Sequence, residues 1–380
     1  MAHRIGGDAE ALSTAAAFRD RLAAEAAARD RERRLPHDEV AALAASGLWA
    51  IGVPAAHGGA DVSHATLAEV TARLAEGDPS VAQIPQNHFA TVEAFRHIGT
   101  PEQQRTLFAR VLAGARLGSA VVDRGPPTRL HDGRLDGEKA YSTGALYADL
   151  ISVTALDDAG QPVLALVERD APGLSVIDDW SGMGQRTTAS GTTVLAQVAP
   201  FWVIPIAAAA ARRTPVGSVA QMLHAAIDLG IARAALAATA TFVRTRSRPF
   251  RDAGAERAQD DVLLVSRFGQ LQLGVHAADA MLARAAAALD AARREPTEAA
   301  MAAAAVAVAE AKVLTTEAAL AGANGLFELA GTSAALEADD FNRFWRDARI
   351  HTLHDPVRWK YHVIGDYHLN GTLPKLRSYL

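Results

Sequence analysis

The chain contains no cysteine, and its 380 residues include only four lysines. The absence of cysteine excludes disulfide bonds, thiolate nucleophiles and cysteine-ligated zinc. Nearly all basic side chains are therefore arginine. Because alanine is also abundant, we interpret this balance as a compositional bias and not as a sign of function.

Long apolar runs are also missing. The longest one, residues 201–211, is too short to span a bilayer, and the first residues, MAHRIGGDAEALS, lack the apolar region of a signal peptide. The net charge of -5 argues against nucleic-acid binding, which needs a basic surface. These features predict a soluble, cytoplasmic protein that binds neither a membrane nor a nucleic acid.

Three zones follow one another along the chain. Residues 1–116 have apolar side chains at helical spacing, and Asp78-Pro79-Ser80 and Thr100-Pro101-Glu102 are typical helix starts. Residues 117–205 alternate short β-rich runs with polar segments such as RGPPT and HDGRLDG. Residues 206–380 return to long, alanine-rich helices. The predicted fold is α+β and mainly α, with an N-terminal helical bundle, a middle β-barrel and a C-terminal four-helix bundle.

The densest polar loop of the middle zone is WSGMGQRTTASG, residues 180–191. Its glycines allow the backbone to approach a planar or anionic ligand closely, and Trp180 offers a face for stacking on a flavin-like ring. Arg186 and Thr188 supply hydrogen-bond donors. A glycine-rich turn with a core tryptophan would explain the same pattern, because such loops are weak signals. Ser142 and Thr143 could donate to a flavin, although hydroxyls are common at strand edges.

Arginines and histidines supply the remaining candidates. Arg246 and its neighbours lie near the end of a predicted helix, where they would either complement the helix dipole or bind a phosphate. His351 and His354 are three residues apart, on one face if the segment is helical, and Pro356 should end that helix. His88 is explained by the sequence alone as a satisfied, partly buried histidine.

The pair His351 and His354, followed by Asp355, permits two chemistries. These side chains could ligate a metal, but a further protein ligand at a recognisable spacing is missing, so we predict no metal site. A histidine next to an aspartate also suits proton transfer near neutral pH.

Four segments together resemble the acyl-CoA dehydrogenase superfamily over nearly the whole chain. The N-terminal signature of that superfamily is similar to LPHDEVAALAASGLWAIGVPAAHGG, and the helix before its β-domain is similar to IGTPEQQRTLFARVLAG. Its flavin-contacting arginine helix resembles RTRSRPF, with one extra residue before the phenylalanine. Its C-terminal active-site helix resembles FNRFWRDARIHTLHDP.

One branch of the superfamily is most similar, the flavin-dependent monooxygenases of the dibenzothiophene monooxygenase and sulfur-acquisition type. The motifs that carry this resemblance are GMGQRTTASGT, YSTGALYADLISV and RIHTLHDPVRWKYH. The resemblance implies a homotetramer that receives reduced FMN from a separate NAD(P)H-dependent flavin reductase, with FAD as a possible substitute. Reaction with O2 would give a C4a-hydroperoxyflavin, which oxygenates sulfur or nitrogen in a small substrate, expected to be an organosulfur compound.

The resemblance also implies roles for individual residues. Ser142 would contact flavin N5, and Trp180 would pack on the ring. His354 and His88 would line the pocket, with His354 or Asp355 handling the proton. The implied cofactor-binding residues are Ser119, Ser142, Thr143, Trp180, Arg186, Thr188 and Arg246.

Two departures from the branch concern the substrate and not the flavin. Ser119 stands where the branch often has asparagine, so that one expected amide donor is a hydroxyl. Ala90-Thr91-Val92 replaces an aromatic hydroxyl expected one turn after His88.

Two other functions remain as alternatives. An FAD-dependent acyl-CoA dehydrogenase has Tyr-Glu-Gly where this chain has His354-Asp355-Pro356. Asp355 is one methylene shorter than the catalytic glutamate, and a misplacement near 1 Å can cost about a hundredfold in rate. This difference favours oxygenation. The second alternative is a catalytically inactive paralogue that serves as a scaffold subunit. This alternative is disfavoured because the chain retains Ser142, Trp180, Arg186 and His354.

Overall fold

The structure, a computed structural model, describes residues 2–206 and 214–375. The described helices before the sheet are α1 (Asp8–Ala23), α2 (Ala26–Glu32), α3 (His37–Ala45), α4 (His64–Gly77), α5 (Pro79–Gln83), α6 (Gln86–Ile98) and α7 (Pro101–Leu112). The Asp78 carboxylate accepts from the backbone N–H groups of Ser80 and Val81 at the start of α5. Thr100 forms a capping box with Gln103 at the start of α7. Both predicted helix starts are therefore confirmed.

Nine strands form one mixed sheet in the middle of the described chain. They are β1 (Leu117–Ala120), β2 (Val122–Asp123), β3 (Arg129–His131), β4 (Arg134–Ala140), β5 (Leu150–Leu156), β6 (Pro162–Glu168), β7 (Leu174–Ile177), β8 (Thr192–Val198) and β9 (Trp202–Pro205). The order is β7-β8-β4-β3-β5-β6-β9, with β1 parallel to β5 and β2 antiparallel to β4. The parallel β1–β5 pair places Ser119 opposite Ser152.

One part of the sheet differs from the prediction. HDGRLDG, which we interpreted as a separating turn, contains the tight β3–β4 hairpin. Asp132 and Gly133 both have positive φ, 47° and 73°, as a two-residue hairpin turn requires. The alternation of charged and apolar residues on either side is too short to indicate strands by itself.

After the sheet, the described helices are α8 (Val216–Thr245), α9 (Val262–Arg294), α10 (Glu298–Ala330), α11 (Asn342–His351) and α12 (Arg358–Asn370). Both α8 and α10 are long and apolar enough to cross a membrane, but 67% and 72% of their most apolar windows are buried inside the protein. Their hydropathy therefore reflects their position at the centre of a helical core, in agreement with the expectation of a soluble protein.

Close packing of α4 against α8 joins the two helical zones. At Gly230 an added Cβ would lie 2.4 Å from the Ala72 carbonyl oxygen, so only glycine permits this approach. Buried side chains from the N-terminal helices and from α8–α10 form one apolar cluster, whereas the sheet has a cluster of its own. The zone boundaries at 116/117 and 205/206 stay predictions, and the second lies next to residues 207–213, outside the described part of the chain.

Candidate active site

A cavity of about 900 Å³ lies between the sheet and the helices. Its sheet side includes Tyr141, Thr143 and Trp180, and its helical side includes Gln83 at the end of α5 and His354 in the loop after α11. The volume is in the range of small-molecule and cofactor sites. Three residues proposed from the sequence, Thr143, Trp180 and His354, thus line one cavity.

The loop at residues 180–191 is attached to α11. The Trp180 Nε1–H donates to the Gln185 carbonyl over 2.9 Å, and the Gln185 N–H donates to Asp347 Oδ1 over 2.5 Å. At Gly184 an added Cβ would lie 2.1 Å from the Arg346 carbonyl oxygen, so the loop can approach the helix only with glycine there. The tryptophan ring is therefore held in a fixed orientation at the cavity wall.

Hydroxyl groups connect the same loop with the segment before β5. Thr143 Oγ1 lies 2.7 Å from Ser190 Oγ, which lies 2.8 Å from Thr188 Oγ1. Thr188 in turn donates to the Gln185 carbonyl over 3.0 Å. Thr188 thus stabilises the loop through contacts outside the cavity lining, whereas Thr143 and Ser190 line the cavity.

Two buried serine hydroxyls have no hydrogen-bond partner among the described residues. They are Ser119 Oγ and Ser142 Oγ, which are 3% and 0% exposed as residues. The two segments are adjacent, because the Ser119 N–H donates to the Thr143 carbonyl over 3.3 Å. Such groups cost free energy unless a ligand or water completes them. Both hydroxyls are therefore candidates for contacts with a polar ligand next to Thr143, although neither serine is part of the cavity lining.

Three imidazole rings lie together on the helical side. His354 lines the cavity, and His351 and His224 lie behind it. The His354 Nδ1–H donates to the His351 carbonyl over 2.7 Å, so its Nε2 carries the free lone pair. His351 Nε2 is 3.1 Å from His224 Nδ1 and 3.0 Å from Gln83 Oε1. Gln83 Nε2 lies 3.4 Å from His354 Nε2 and thus bridges the two rings.

A buried charge pair supports these rings. Asp228, one helical turn after His224 in α8, accepts from His351 Nδ1–H over 2.5 Å and pairs with Lys312 of α10, also over 2.5 Å. The side chains of Asp228 and Lys312 are fully buried. Burial would raise the pKa of Asp228, but the charges of Lys312 and His351 outweigh it and hold this pKa at about 2. Asp228 is thus an ionised acceptor that fixes the orientation of His351.

Burial determines the charge state of the imidazoles. The pKa of His354 is lowered to about 4, chiefly by desolvation of its ring and then by the neighbouring His351, although this residue is exposed at the cavity. Burial also lowers the pKa of His224, with a further contribution from His354. In His351 burial outweighs the opposing effect of Asp228, so that its pKa is lowered as well. These shifts favour the neutral form of the three rings.

His88 lies away from the cavity wall. It is fully buried, with its Nε2–H donating to the Trp49 carbonyl over 2.6 Å and its Nδ1 accepting from the Leu117 N–H over 3.1 Å. Burial lowers the pKa of His88 to about 4. Both ring nitrogens are used by the backbone, so His88 connects α6 with β1 and does not present a free nitrogen to a substrate in this arrangement.

Six other proposed residues also lie outside the described cavity lining: Ser119, Ser142 and Thr188, described above, and Asp355, Arg186 and Arg246. Asp355 pairs with Lys360 over 2.6 Å and lines a second cavity of about 750 Å³, which shares His354 with the first. Arg186 is partly buried within the loop. Arg246 follows the end of α8, where it pairs with Asp339 over 2.5 Å and lies 4.4 Å from the centroid of the Phe242 ring.

Sequence reasoning missed the second layer of the site. Gln83, His224, Asp228 and Lys312 come from three helices, and nothing in their spacing predicts that they meet. A weaker signal was present, since Asp228 and Lys312 are charged residues within otherwise apolar stretches of α8 and α10. Such charges are costly when buried unless they are paired.

The cavity fits the ring system of a flavin. The indole of Trp180 supplies an apolar face at the cavity wall. Ser119 and Ser142 carry buried hydroxyls without partners among the described residues and lie next to the lining residue Thr143, although they are not part of the lining. The hydroxyls could donate to the nitrogen and oxygen atoms at the edge of the ring. The neutral histidines on the opposite side leave room for a reacting substrate.

Comparison with known proteins agrees with this geometry. Residues 9–115 match the family model of the acyl-CoA dehydrogenase N-terminal domain, and residues 222–359 match that of the acyl-CoA dehydrogenase C-terminal domain. The chain is 30% identical to dibenzothiophene monooxygenase from Rhodococcus erythropolis, over 98% of this chain and 96% of that protein. It is also 30% identical to the probable FMNH2-dependent monooxygenase SfnC from Pseudomonas putida, over 96% of each chain.

The fold has a close structural relative as well. FMN-bound TdsC from Paenibacillus sp. A11-2 superposes with a TM-score of 0.92 at 28% identity, covering 97% of this chain and 100% of that chain. The predicted architecture of N-terminal helices, central sheet and C-terminal helices is therefore confirmed. The chain belongs to the acyl-CoA dehydrogenase superfamily, in the flavin-dependent monooxygenase branch that includes dibenzothiophene monooxygenase.

Proposed function

We propose that this protein is an FMN-dependent monooxygenase that uses O2 to oxygenate a small organosulfur compound. The observation that carries the proposal is the flavin-sized cavity that Thr143, Trp180 and His354 line, with the buried and unpartnered hydroxyls of Ser119 and Ser142 in the segments next to it. The relatives support the same chemistry, since they include a dibenzothiophene monooxygenase, a probable FMNH2-dependent monooxygenase and an FMN-bound structure.

Reduced FMN, when bound, supplies the two electrons with which O2 is activated. We propose that Ser142 contacts flavin N5, whose N–H in the reduced form would donate to the serine hydroxyl, and that Ser119 contacts the same edge of the ring. Trp180 would pack against the ring, while Thr143 and Thr188 hold the surrounding segments in place through their hydroxyl contacts. Arg186 would contribute a positive charge from within the same loop.

Oxygenation inserts one atom of O2 into the substrate and releases the other as water, so the site must deliver protons. His354 is the proposed proton-handling residue, because its ring lines the cavity and its Nδ1–H is already committed to the His351 carbonyl. Its Nε2 is free to accept a proton and return it. We assign His88 a supporting role, since its contacts hold α6 against β1.

The position of Asp355 disfavours acyl-CoA dehydrogenation. In a dehydrogenase the residue at this position must reach a substrate carbon next to the flavin. Here the Asp355 carboxylate forms an ion pair with Lys360 and lines the second cavity, not the one that includes Trp180. The aspartate is thus both shorter than glutamate and engaged elsewhere.

We further propose a homotetramer in which Arg246 binds the FMN phosphate of a neighbouring subunit. Arg246 follows His224 by 22 positions along α8, which corresponds to about 33 Å of helix. An arginine so far from the cavity cannot reach a flavin bound in its own subunit. Apolar side chains exposed on α9, which a partner subunit would cover, support an assembly; they are Val262, Leu263, Val265 and Leu273.

The proposal also includes a separate NAD(P)H-dependent flavin reductase and a cytoplasmic location. Reduced flavin is oxidised by O2 on release into air-saturated solution, so a partner enzyme must renew it. The similarity to a probable FMNH2-dependent monooxygenase supports such a partner.

Incorporation of ¹⁸O tests the function directly. The protein would be mixed with FMN, a flavin reductase, NADH and ¹⁸O2, and dibenzothiophene and a panel of sulfides and sulfones would be offered as substrates. We expect one ¹⁸O atom in the product for each oxygenation. His354→Ala should lower product formation while FMN still binds. Bleaching of a tightly held FAD by acyl-CoA thioesters, without ¹⁸O incorporation, would instead establish the dehydrogenase.

A further inference from the structure

His224, His351 and His354 bring one imidazole nitrogen each to a common point beside the cavity. The three nitrogen atoms all lie within 4.8 Å of one another, and His224 Nδ1 is 3.1 Å from His351 Nε2. In a tetrahedral zinc site with Zn–N distances of about 2.0–2.1 Å, neighbouring nitrogens are separated by roughly 3.3 Å. To surround a cation, the three nitrogens must approach one another, and His224 must give up the Nδ1 proton that it donates to His351 Nε2 in the present arrangement.

The contacts behind the cluster are those of a metal site. Histidine ligands of metals donate their second ring N–H to a carboxylate or a backbone carbonyl, which fixes the ring and directs the free nitrogen to the ion. His351 donates through Nδ1 to Asp228 Oδ1 over 2.5 Å, and His354 donates through Nδ1 to the His351 carbonyl over 2.7 Å. Two of the three rings are thus already oriented through their opposite nitrogens.

Charge and access also suit a divalent cation. The nearby ammonium of Lys312 is neutralised by Asp228, which lies between it and His351. His354 lines both cavities, so an ion can enter from solvent and keep a position open for water. Gln83 bridges His351 and His354 with its amide, and this side chain would have to turn away when an ion binds.

We propose that these three histidines form a binding site for a divalent transition-metal cation such as Zn²⁺, and that its occupation inhibits the enzyme. Three neutral imidazoles with one open position are a typical ligand set for zinc. Inhibition follows because the ion occupies the lone pair of His354 that would otherwise handle the proton. The inhibitory effect rests on the proposed function, whereas binding of the ion does not.

Cobalt spectroscopy tests the binding on the purified, full-length protein without flavin or substrate. We expect one Co²⁺ per chain, with the visible absorption bands of a four-coordinate ion, and bleaching of these bands on addition of Zn²⁺. Absence of saturable Co²⁺ binding would overturn the proposal. The result does not depend on any catalytic activity, so it stands apart from the test of the monooxygenase function.

Variants locate the ion. His224→Ala and His354→Ala should each abolish the bands. Since His224 is buried and its loss could impair folding, His354→Ala, at the open side of the cluster, keeps the test decisive. The matched control is His131→Ala, which removes an exposed cluster formed with Asp132 and Asp158. Bands that survive in both His224→Ala and His354→Ala, or that vanish in His131→Ala, would refute the assignment.

The regulatory part has its own measurement. Zn²⁺ should inhibit ¹⁸O incorporation by the wild-type protein at the concentrations that bleach the Co²⁺ bands, and a chelator should restore it. Retention of full oxygenation at saturating Zn²⁺ would overturn the inhibitory role. If no oxygenation is found under any condition, the proposed function fails, and the cobalt result still decides whether the site exists.

Discussion

The hydroxyl of Ser142 is buried without a partner among the described residues, although its backbone N–H donates to the Gly191 carbonyl over 3.0 Å. A buried polar group left unsatisfied costs about 1–3 kcal/mol. Its position next to the cavity-lining Thr143 is consistent with completion by a bound ligand, and the same reasoning applies to Ser119.

Replacing Ser142 with Ala should uncouple the reaction and leave folding intact. A lost hydrogen bond to the flavin weakens control over the activated oxygen, and we expect the ratio of released peroxide to oxygenated product to rise about tenfold. Peroxide and product would be measured in the same reaction. The control is Ser175→Ala in β7, an exposed serine. Equal coupling in both variants would contradict a contact between Ser142 and the flavin.

The pair of Asp228 and Lys312 leads to a prediction about stability. Asp228→Asn retains an oxygen that can accept from His351 but leaves the fully buried Lys312 without a counter-ion. We expect a loss of about 3–5 kcal/mol in the free energy of unfolding, measured by chemical denaturation. The double variant Asp228→Asn, Lys312→Met should recover part of this loss. A single variant as stable as the wild type would show that the pair is not charged.

At the scale of elements, α11 connects the two sides of the site. Its last residue is His351, and one turn earlier Asp347 accepts from the N–H of Gln185 in the loop that carries Trp180. Burial, with Asp30 as the next contribution, raises the pKa of Asp347 to about 8. A movement of α11 would therefore displace the indole and the imidazoles together.

This raised pKa predicts a pH dependence of stability. The native state retains the Asp347 proton up to about pH 8, whereas the unfolded chain releases it near pH 4. The stability contributed by this proton is complete below about pH 4 and is lost as the pH rises towards 8, by at most about 1.4 kcal/mol per pH unit.

Asp347→Asn should abolish this dependence, because the amide still accepts from Gln185 and cannot ionise. Free energies of unfolding would be compared from pH 5 to pH 9, with the exposed Asp252→Asn as the control for removal of a charge. We expect the advantage of Asp347→Asn over the wild type to grow with pH. Parallel curves for the two proteins would show that Asp347 is ionised throughout.

At the scale of the whole molecule, Arg246, the arginine that the family resemblance assigns to the FMN phosphate, lies outside the cavity of its own chain. Arg246 lies at the far end of α8, partly exposed, with Asp339 as its partner. The assembly of several subunits is thus proposed to complete each flavin site.

Arg246→Ala should weaken FMN binding about tenfold, since it removes a charge-assisted contact with the phosphate. Binding would be measured by fluorescence titration, and light scattering would report the oligomeric state. The matched control is Arg257→Ala, which also removes an exposed arginine that pairs with one aspartate, Asp260. Equal FMN affinity in both variants, or a monomer with full affinity, would contradict the shared site.

The sequence by itself determined the local parts of this protein. Asp78 and Thr100 cap their helices as predicted, because capping depends only on neighbouring backbone groups. Thr143, Trp180 and His354 were proposed from motifs and line the same cavity. Such motifs can be identified in a sequence because each is a short, continuous run of residues.

Only the tertiary structure decided what stands behind that cavity. The third histidine of the cluster is His224, which lies 127 positions before His351 in the chain. The spacing of His351 and His354 could not predict it. Asp228 and Lys312 are separated by 84 positions and meet because α8 and α10 pack side by side. The role of a charged residue within an apolar helix depends on its partner. That partner is selected by the packing of helices that are distant in the chain, and such packing has no short-range signature in the sequence.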